Sequence, residues 1–74
     1  MEQKMLSMLS EEYPDIDFSS DSLVDDGFLD SQTIAGIVIL LSMEYGIIIP
    51  QEEITEENFN SVAALCAMVK RLQQ

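Results

Sequence analysis

Met5, Leu6, Leu9 and Tyr13 recur at helical spacing near the start of the chain. The pattern predicts an amphipathic helix over residues 2 to 12 that stops before Pro14, because the residue ahead of a proline is pushed out of the α region. From Tyr13 to Asp30 the periodicity breaks: Pro14, Gly27, three serines and six aspartates are interrupted by Ile16, Phe18, Leu23, Val24, Phe28 and Leu29. This reads as a long loop held by apolar anchors. Connections of that length are uncommon inside compact domains and tend to carry function.

Helical spacing resumes at Ser31. Ile34, Ile37, Val38, Leu41 and Tyr45 fall on one side of a wheel, so a second helix is expected from Ser31 to Tyr45, capped by Asp30 or Ser31 and ended by Gly46 in a left-handed conformation. Ile47, Ile48 and Ile49 then run into Pro50 as a short extended connection, with no partner strand visible. Thr55 to Phe59 predicts one turn of a third, short helix with Ile54 and Phe59 as its core contacts. Asn60 or Ser61 caps a fourth helix, whose buried stripe is Val62, Leu65, Cys66, Val69 and Leu72. Lys70 and Arg71 suit the negative end of its dipole. The expected architecture is all-α: a single domain over residues 1–74, built as a small four-helix bundle of three longer helices and one short one, with a long first loop.

Composition narrows the function classes. A chain of 74 residues supports one small core, and 47% apolar residues favour a folded unit over an acidic disordered tail. Fourteen acids against three bases give a net charge of −11, and the only bases are Lys4, Lys70 and Arg71. Such a field repels phosphate backbones and anionic membranes and speeds encounter with basic protein surfaces, so nucleic acid is not an expected partner. The longest apolar stretch, Ala35 to Leu41, is far too short to cross a bilayer, and no membrane insertion is expected. Cys66 is the only cysteine, which excludes an internal disulfide and fits a reducing compartment. A cytoplasmic monomer is the expectation, with Cys66 a small core residue rather than a reactive thiol.

The sequence has no histidine, no glycine-rich phosphate loop, no cysteine pair and no nucleophile-elbow serine, so catalysis by the chain itself and a resident metal are not expected. Its acids lie in loops and turns where water reaches them, not in apolar pockets that would tune them for proton transfer. The run Leu23-Val24-Asp25-Asp26-Gly27-Phe28-Leu29-Asp30-Ser31 is different, because it ends a loop and opens a helix. A phosphodiester on the Ser31 hydroxyl would sit near unpaired backbone N–H groups and the positive end of the helix dipole. Gly27 can turn the chain with positive φ, Phe28 and Leu29 can anchor the loop, and Asp30 sets a carboxylate beside the hydroxyl. On physical pattern alone, Asp30 and Ser31 also read as ordinary helix caps.

That run, the apolar helix after it, Tyr45, Gly46, Ile47 to Ile49 and Pro50, and then Asn58, Phe59, Asn60, Ser61 and Val62 together resemble the acyl and peptidyl carrier protein family over nearly the whole chain. The resemblance implies a bundle of acyl carrier protein type. It implies Ser31 as the attachment point of 4'-phosphopantetheine, transferred from coenzyme A by a separate phosphopantetheinyl transferase with magnesium, and Asp30 as the carboxylate that helps the transferase. The thiol of the arm would hold acyl or aminoacyl cargo as a thioester. A ligase or adenylating enzyme would load it and downstream acyl-accepting enzymes would receive it, so the chain would be a carrier and not an enzyme. The apolar second helix and the Asn58 to Val62 segment look more similar to D-alanyl, aminoacyl and peptidyl carriers than to the main fatty-acid carrier. Gln32 stands where the family commonly has leucine, a departure that bears on how a transferase or partner docks.

Gly36, Ile39, Leu40 and Met43 are expected to point away from the core side of the second helix, where Glu44 is the only charge. A helix apolar all round is normally buried. So small a bundle has little protein to cover it, so Ile39, Leu40 and Met43, with Phe28, Leu29 and Gln32 near the serine, are expected to form a docking surface for partner enzymes, unless the long loop packs over the helix. Two further readings stay open: an unmodified protein-interaction module with a carrier fold, and a calcium site. Asp15, Asp17, Ser19, Asp21 and Asp26 occupy ligand positions of an EF-hand loop, but Ser20 stands where glycine is needed, Asp26 replaces the bidentate glutamate, and Leu23 fills a ligand slot.

Overall fold

Side-chain caps set where three of the four helices begin. In the computed structural model, which describes residues 1–74, α1 spans Glu2–Glu12, α2 Ser31–Tyr45, α3 Glu56–Phe59 and α4 Val62–Leu72, with a 3-10 turn at Gln51–Glu53 and no strand. Asp30 Oδ1 accepts the Thr33 N–H at 2.8 Å, Thr55 Oγ1 accepts that of Asn58 at 3.2 Å, and Ser61 Oγ accepts that of Ala64 at 3.0 Å. Each oxygen satisfies an N–H that its helix leaves unpaired. Gly46 closes α2 at φ +62, a conformation that costs a side-chain-bearing residue about 1–2 kcal/mol. The all-helical class and the expected boundaries of α1 and α2 are therefore observed.

α4 is the centre of the packing: α1 and α3 lie against it, and no helix backbone approaches α2 as closely. The core joins Met5 and Leu9 of α1, Ile37 and Leu41 of α2, Phe59 of α3, and Val62, Leu65, Cys66, Met68 and Val69 of α4. Met68 extends the expected stripe of α4, whereas Leu72 is half-buried at its end. Ile47 and Ile49 turn inward while Ile48 stays 87% exposed, the alternation of an extended segment. Ile54 departs from its expected core position and is 38% exposed, because the 3-10 turn ahead of α3 carries it to the outside. The radius of gyration, 11.0 Å, matches the roughly 11 Å of a well-packed chain of this length.

The first loop is fastened through Phe18, Leu23 and Leu29, all buried in this core. Tyr13, at the loop's start, lies over α2 so closely that a Cβ on Gly36 would collide with its hydroxyl. Gly36 therefore faces Tyr13 rather than solvent, and Leu40 is half-buried against the core. Both differ from their expected outward placement on α2, since the loop covers part of that face. The Tyr45 hydroxyl is enclosed without a hydrogen-bond partner, and burial pushes its pKa up.

Candidate functional site

The segment ahead of Ser31 is one helical turn closed by a glycine. Asp26 N–H donates to Ser22 O at 2.7 Å, Gly27 N–H to Val24 O at 3.0 Å and Phe28 N–H to Leu23 O at 2.9 Å. The last two bonds, with Gly27 at φ +81, form a Schellman closure in which glycine takes the left-handed position. Leu29 N–H also donates to Leu23 O, at 3.1 Å. The chain then drops Leu29 into the core, leaves Phe28 42% exposed, and presents Asp30 and Ser31 at the surface.

Asparagine 60, from the junction of α3 and α4, holds the other end of this turn. Its Oδ1 accepts the N–H groups of Val24 at 2.9 Å and Asp25 at 3.2 Å, and its backbone oxygen accepts that of Leu23 at 2.9 Å. Its Nδ2 reaches Asp25 Oδ2 at 3.3 Å. Asn60 therefore caps a turn lying 36 positions away in sequence. By local pattern Asn60 is only a candidate cap for α4, a role that Ser61 fills. Only the asparagine's place in the Asn58 to Val62 segment, which resembles the carrier family, sets it apart, since no local spacing links it to Val24.

Because Asp30 supplies the cap of α2, the Ser31 hydroxyl is not used by it and stands exposed on the first residue of the helix. The Thr33 N–H holds the Asp30 carboxyl below the usual carboxylate range, so this group is an anion at neutral pH. Beside the serine runs an open apolar groove of about 470 Å³, lined by Ser31, Ile34, Ala35, Val38, Ile39 and Ile54. Its walls come from α2 and from Ile54, the residue that the 3-10 turn carries outward. The sequence did not predict this groove, since its far wall depends on where Ile54 folds back.

The proposed docking residues divide. Phe28, Gln32, Ile39 and Met43 are exposed, with Ile39 at 61% and Met43 at 79%. Leu29 is 4% exposed and belongs to the core, which corrects its inclusion in a contact surface; it anchors the loop, as Phe28 does not. Leu40 is half-buried and contributes only an edge. Cys66 is a core residue 3.8 Å from Met5 Sδ, and burial pushes its thiol pKa up, away from nucleophilic reactivity. No three His, Cys, Asp or Glu side chains converge to hold a metal ion. Of the aspartates at EF-hand positions, Asp17 stays exposed and accepts the Ser19 N–H at 3.1 Å, a local bond within its own loop. No helix is long and apolar enough to cross a membrane.

Comparisons with protein-family models, with curated proteins and with solved structures find no match to this chain.

Proposed function

We propose that the chain is a carrier protein of acyl carrier type that bears 4'-phosphopantetheine on Ser31 and presents thioester cargo to partner enzymes. The observation that carries the reading is a serine hydroxyl left free on the first residue of a helix, between a capping carboxylate and an open apolar groove. The long first loop between α1 and α2 and the single-turn α3 support the finer fold assignment.

The residues present fit the group. Ser31 can carry the phosphate, and the adjacent start of α2 favours negative charge there. Ile34, Val38, Ile39 and Ile54 offer an apolar surface beside the attachment point. When bound, the arm supplies a thiol that holds acyl groups as thioesters. The chain's own residues contribute the attachment oxygen, the rigid helix start, and the surface that partners meet. The groove lining has no charged side chain, which supports an aliphatic acyl cargo, against the aminoacyl cargo that the likeness of the second helix to D-alanyl and aminoacyl carriers implies.

Attachment is the work of a separate transferase. The Ser31 oxygen forms a bond to the phosphorus next to pantetheine in coenzyme A as the pyrophosphate P–O bond breaks, the serine proton passes to a base of the transferase, and adenosine 3',5'-bisphosphate departs with the bridging oxygen. The anionic carboxylate of Asp30, next to the serine in sequence, supports a part for it in helping the transferase. The acidic surface suits basic partner faces, and exposed Ile39 and Met43 suit an apolar spot within them. The test is mass spectrometry of the chain after incubation with coenzyme A, magnesium and a broad-specificity transferase. One phosphopantetheinyl group should be gained on Ser31 and none by a folded Ser31→Ala variant. An unchanged mass with a transferase proven on another carrier would overturn the reading and leave an unmodified interaction module.

A further inference from the structure

We infer that Asn60 is a positioning residue for the modification of Ser31, acting through the turn that it caps. The inference rests on the carrier reading and adds to it a residue from the opposite end of the fold. The turn from Ser22 to Phe28 is too short to persist alone, since a single helical turn fixes several dihedrals for few bonds. Its closing end is secured by Gly27, and its opening end by three N–H groups that turn to Asn60: Leu23 to the backbone oxygen, Val24 and Asp25 to Oδ1. A helical turn leaves its first N–H groups without partners, and here one asparagine takes three of them. The contact from Nδ2 to Asp25 Oδ2 fixes the orientation of the amide.

This arrangement settles which way the following residues face. Leu23 is fully buried, so the turn is nailed at one point and oriented by Asn60 at its rim. Phe28 emerges exposed, Leu29 enters the core, and Asp30 and Ser31 follow directly. A transferase approaching Ser31 meets Phe28 and Asp26 in a fixed place, and the cost of ordering them has already been met by folding. Loosening the turn transfers that cost to the encounter with the enzyme. The consequence falls on recognition, because Asn60 makes its hydrogen bonds to Leu23, Val24 and Asp25 and none to Ser31 or Asp30.

The test compares steady-state modification of the apo chain, its Asn60→Ala variant, and the Asn60→Asp and Asn60→Asp/Asp25→Asn variants, all at a temperature where circular dichroism shows each to be folded. The double variant reverses the side-chain pair: the carboxylate accepts both N–H groups and the new amide can donate back. For Asn60→Ala the KM for the chain should rise about tenfold, the equivalent of about 1.4 kcal/mol, with kcat little changed. Amide exchange should quicken at Val24, Asp25 and Phe28 and not in α4. Asn60→Asp alone, with like charges facing Asp25, should lie between, and the double variant should return KM to near the wild-type value. A merely structural residue would lower the melting temperature without moving KM in folded protein. An unchanged KM for folded Asn60→Ala, or no recovery in the double variant, overturns the inference alone. If Asn60→Ala does not fold, the single and double aspartate variants decide by the same criterion. A wild-type chain that takes no arm at all removes the carrier reading and, with it, this inference.

Discussion

Lengthening an apolar acyl group held on the arm of Ser31 should raise the melting temperature of the loaded chain. The groove beside the attachment point is open, and two of its walls, Ile39 at 61% and Ile54 at 38%, keep much of their surface in water. A fully buried methylene contributes about 0.8 kcal/mol, and one laid against an open groove about half of that, so the roughly six methylenes of an octanoyl chain contribute about 2–3 kcal/mol. Ordering the cargo offsets roughly 1 kcal/mol. The remaining stabilisation of about 1–2 kcal/mol corresponds, in a domain of this size, to a rise of roughly 5–10 °C. The assay loads the chain from acetyl-, butyryl- and octanoyl-coenzyme A with one promiscuous transferase and records thermal melts by circular dichroism at one pH. Ile54→Asp, which alters the wall without entering the core, should flatten the dependence on length. Equal melting temperatures for acetyl- and octanoyl-loaded protein would refute the reasoning. So would an alanyl thioester that stabilises as much as octanoyl.

Three further outcomes follow from the packing. Tyr45→Phe removes a hydroxyl that is enclosed without a partner and should stabilise the fold by about 1 kcal/mol in urea titration, whereas a loss of similar size would mean that the hydroxyl has a partner after all. Gly36→Ala places a Cβ against the far end of the Tyr13 side chain, which must shift, while alanine gains about 1 kcal/mol over glycine inside a helix; the net change in wild type should stay within about 1 kcal/mol, and in a Tyr13→Phe background the variant should be stabilising, whereas a loss above about 2 kcal/mol would show that Tyr13 is held rigidly. Asp30 has a folded-state pKa below its unfolded value, so its share of stability is present above the unfolded value and is lost as pH falls through the folded one. Asp30→Asn keeps an oxygen for the cap and removes that titration, so stability measured by urea titration should fall less steeply in acid than in wild type. An identical acid profile would show that the cap bond does not lower this carboxyl.

Much of this protein follows from local chemistry. Helical spacing before Pro14 and again after Asp30 sets α1 and α2, and the need for positive φ makes Gly46 a stop, because these depend on neighbours within a turn or two. The candidate serine is legible for the same reason: an aspartate and a serine opening an apolar helix after a glycine turn form a contiguous run. What the linear order could not decide is which side of each element meets another. Leu29 and Phe28 are adjacent apolar residues of similar promise, and only the packed core separates the buried anchor from the exposed ring. Gly36 and Leu40 looked outward until Tyr13 and the loop came across α2, and Ile54 looked inward until the 3-10 turn carried it out to wall the groove. Asn60 found its partners 36 positions back along the chain, at Val24. These outcomes are contacts between distant segments, and their energies exist only once the chain has folded them together.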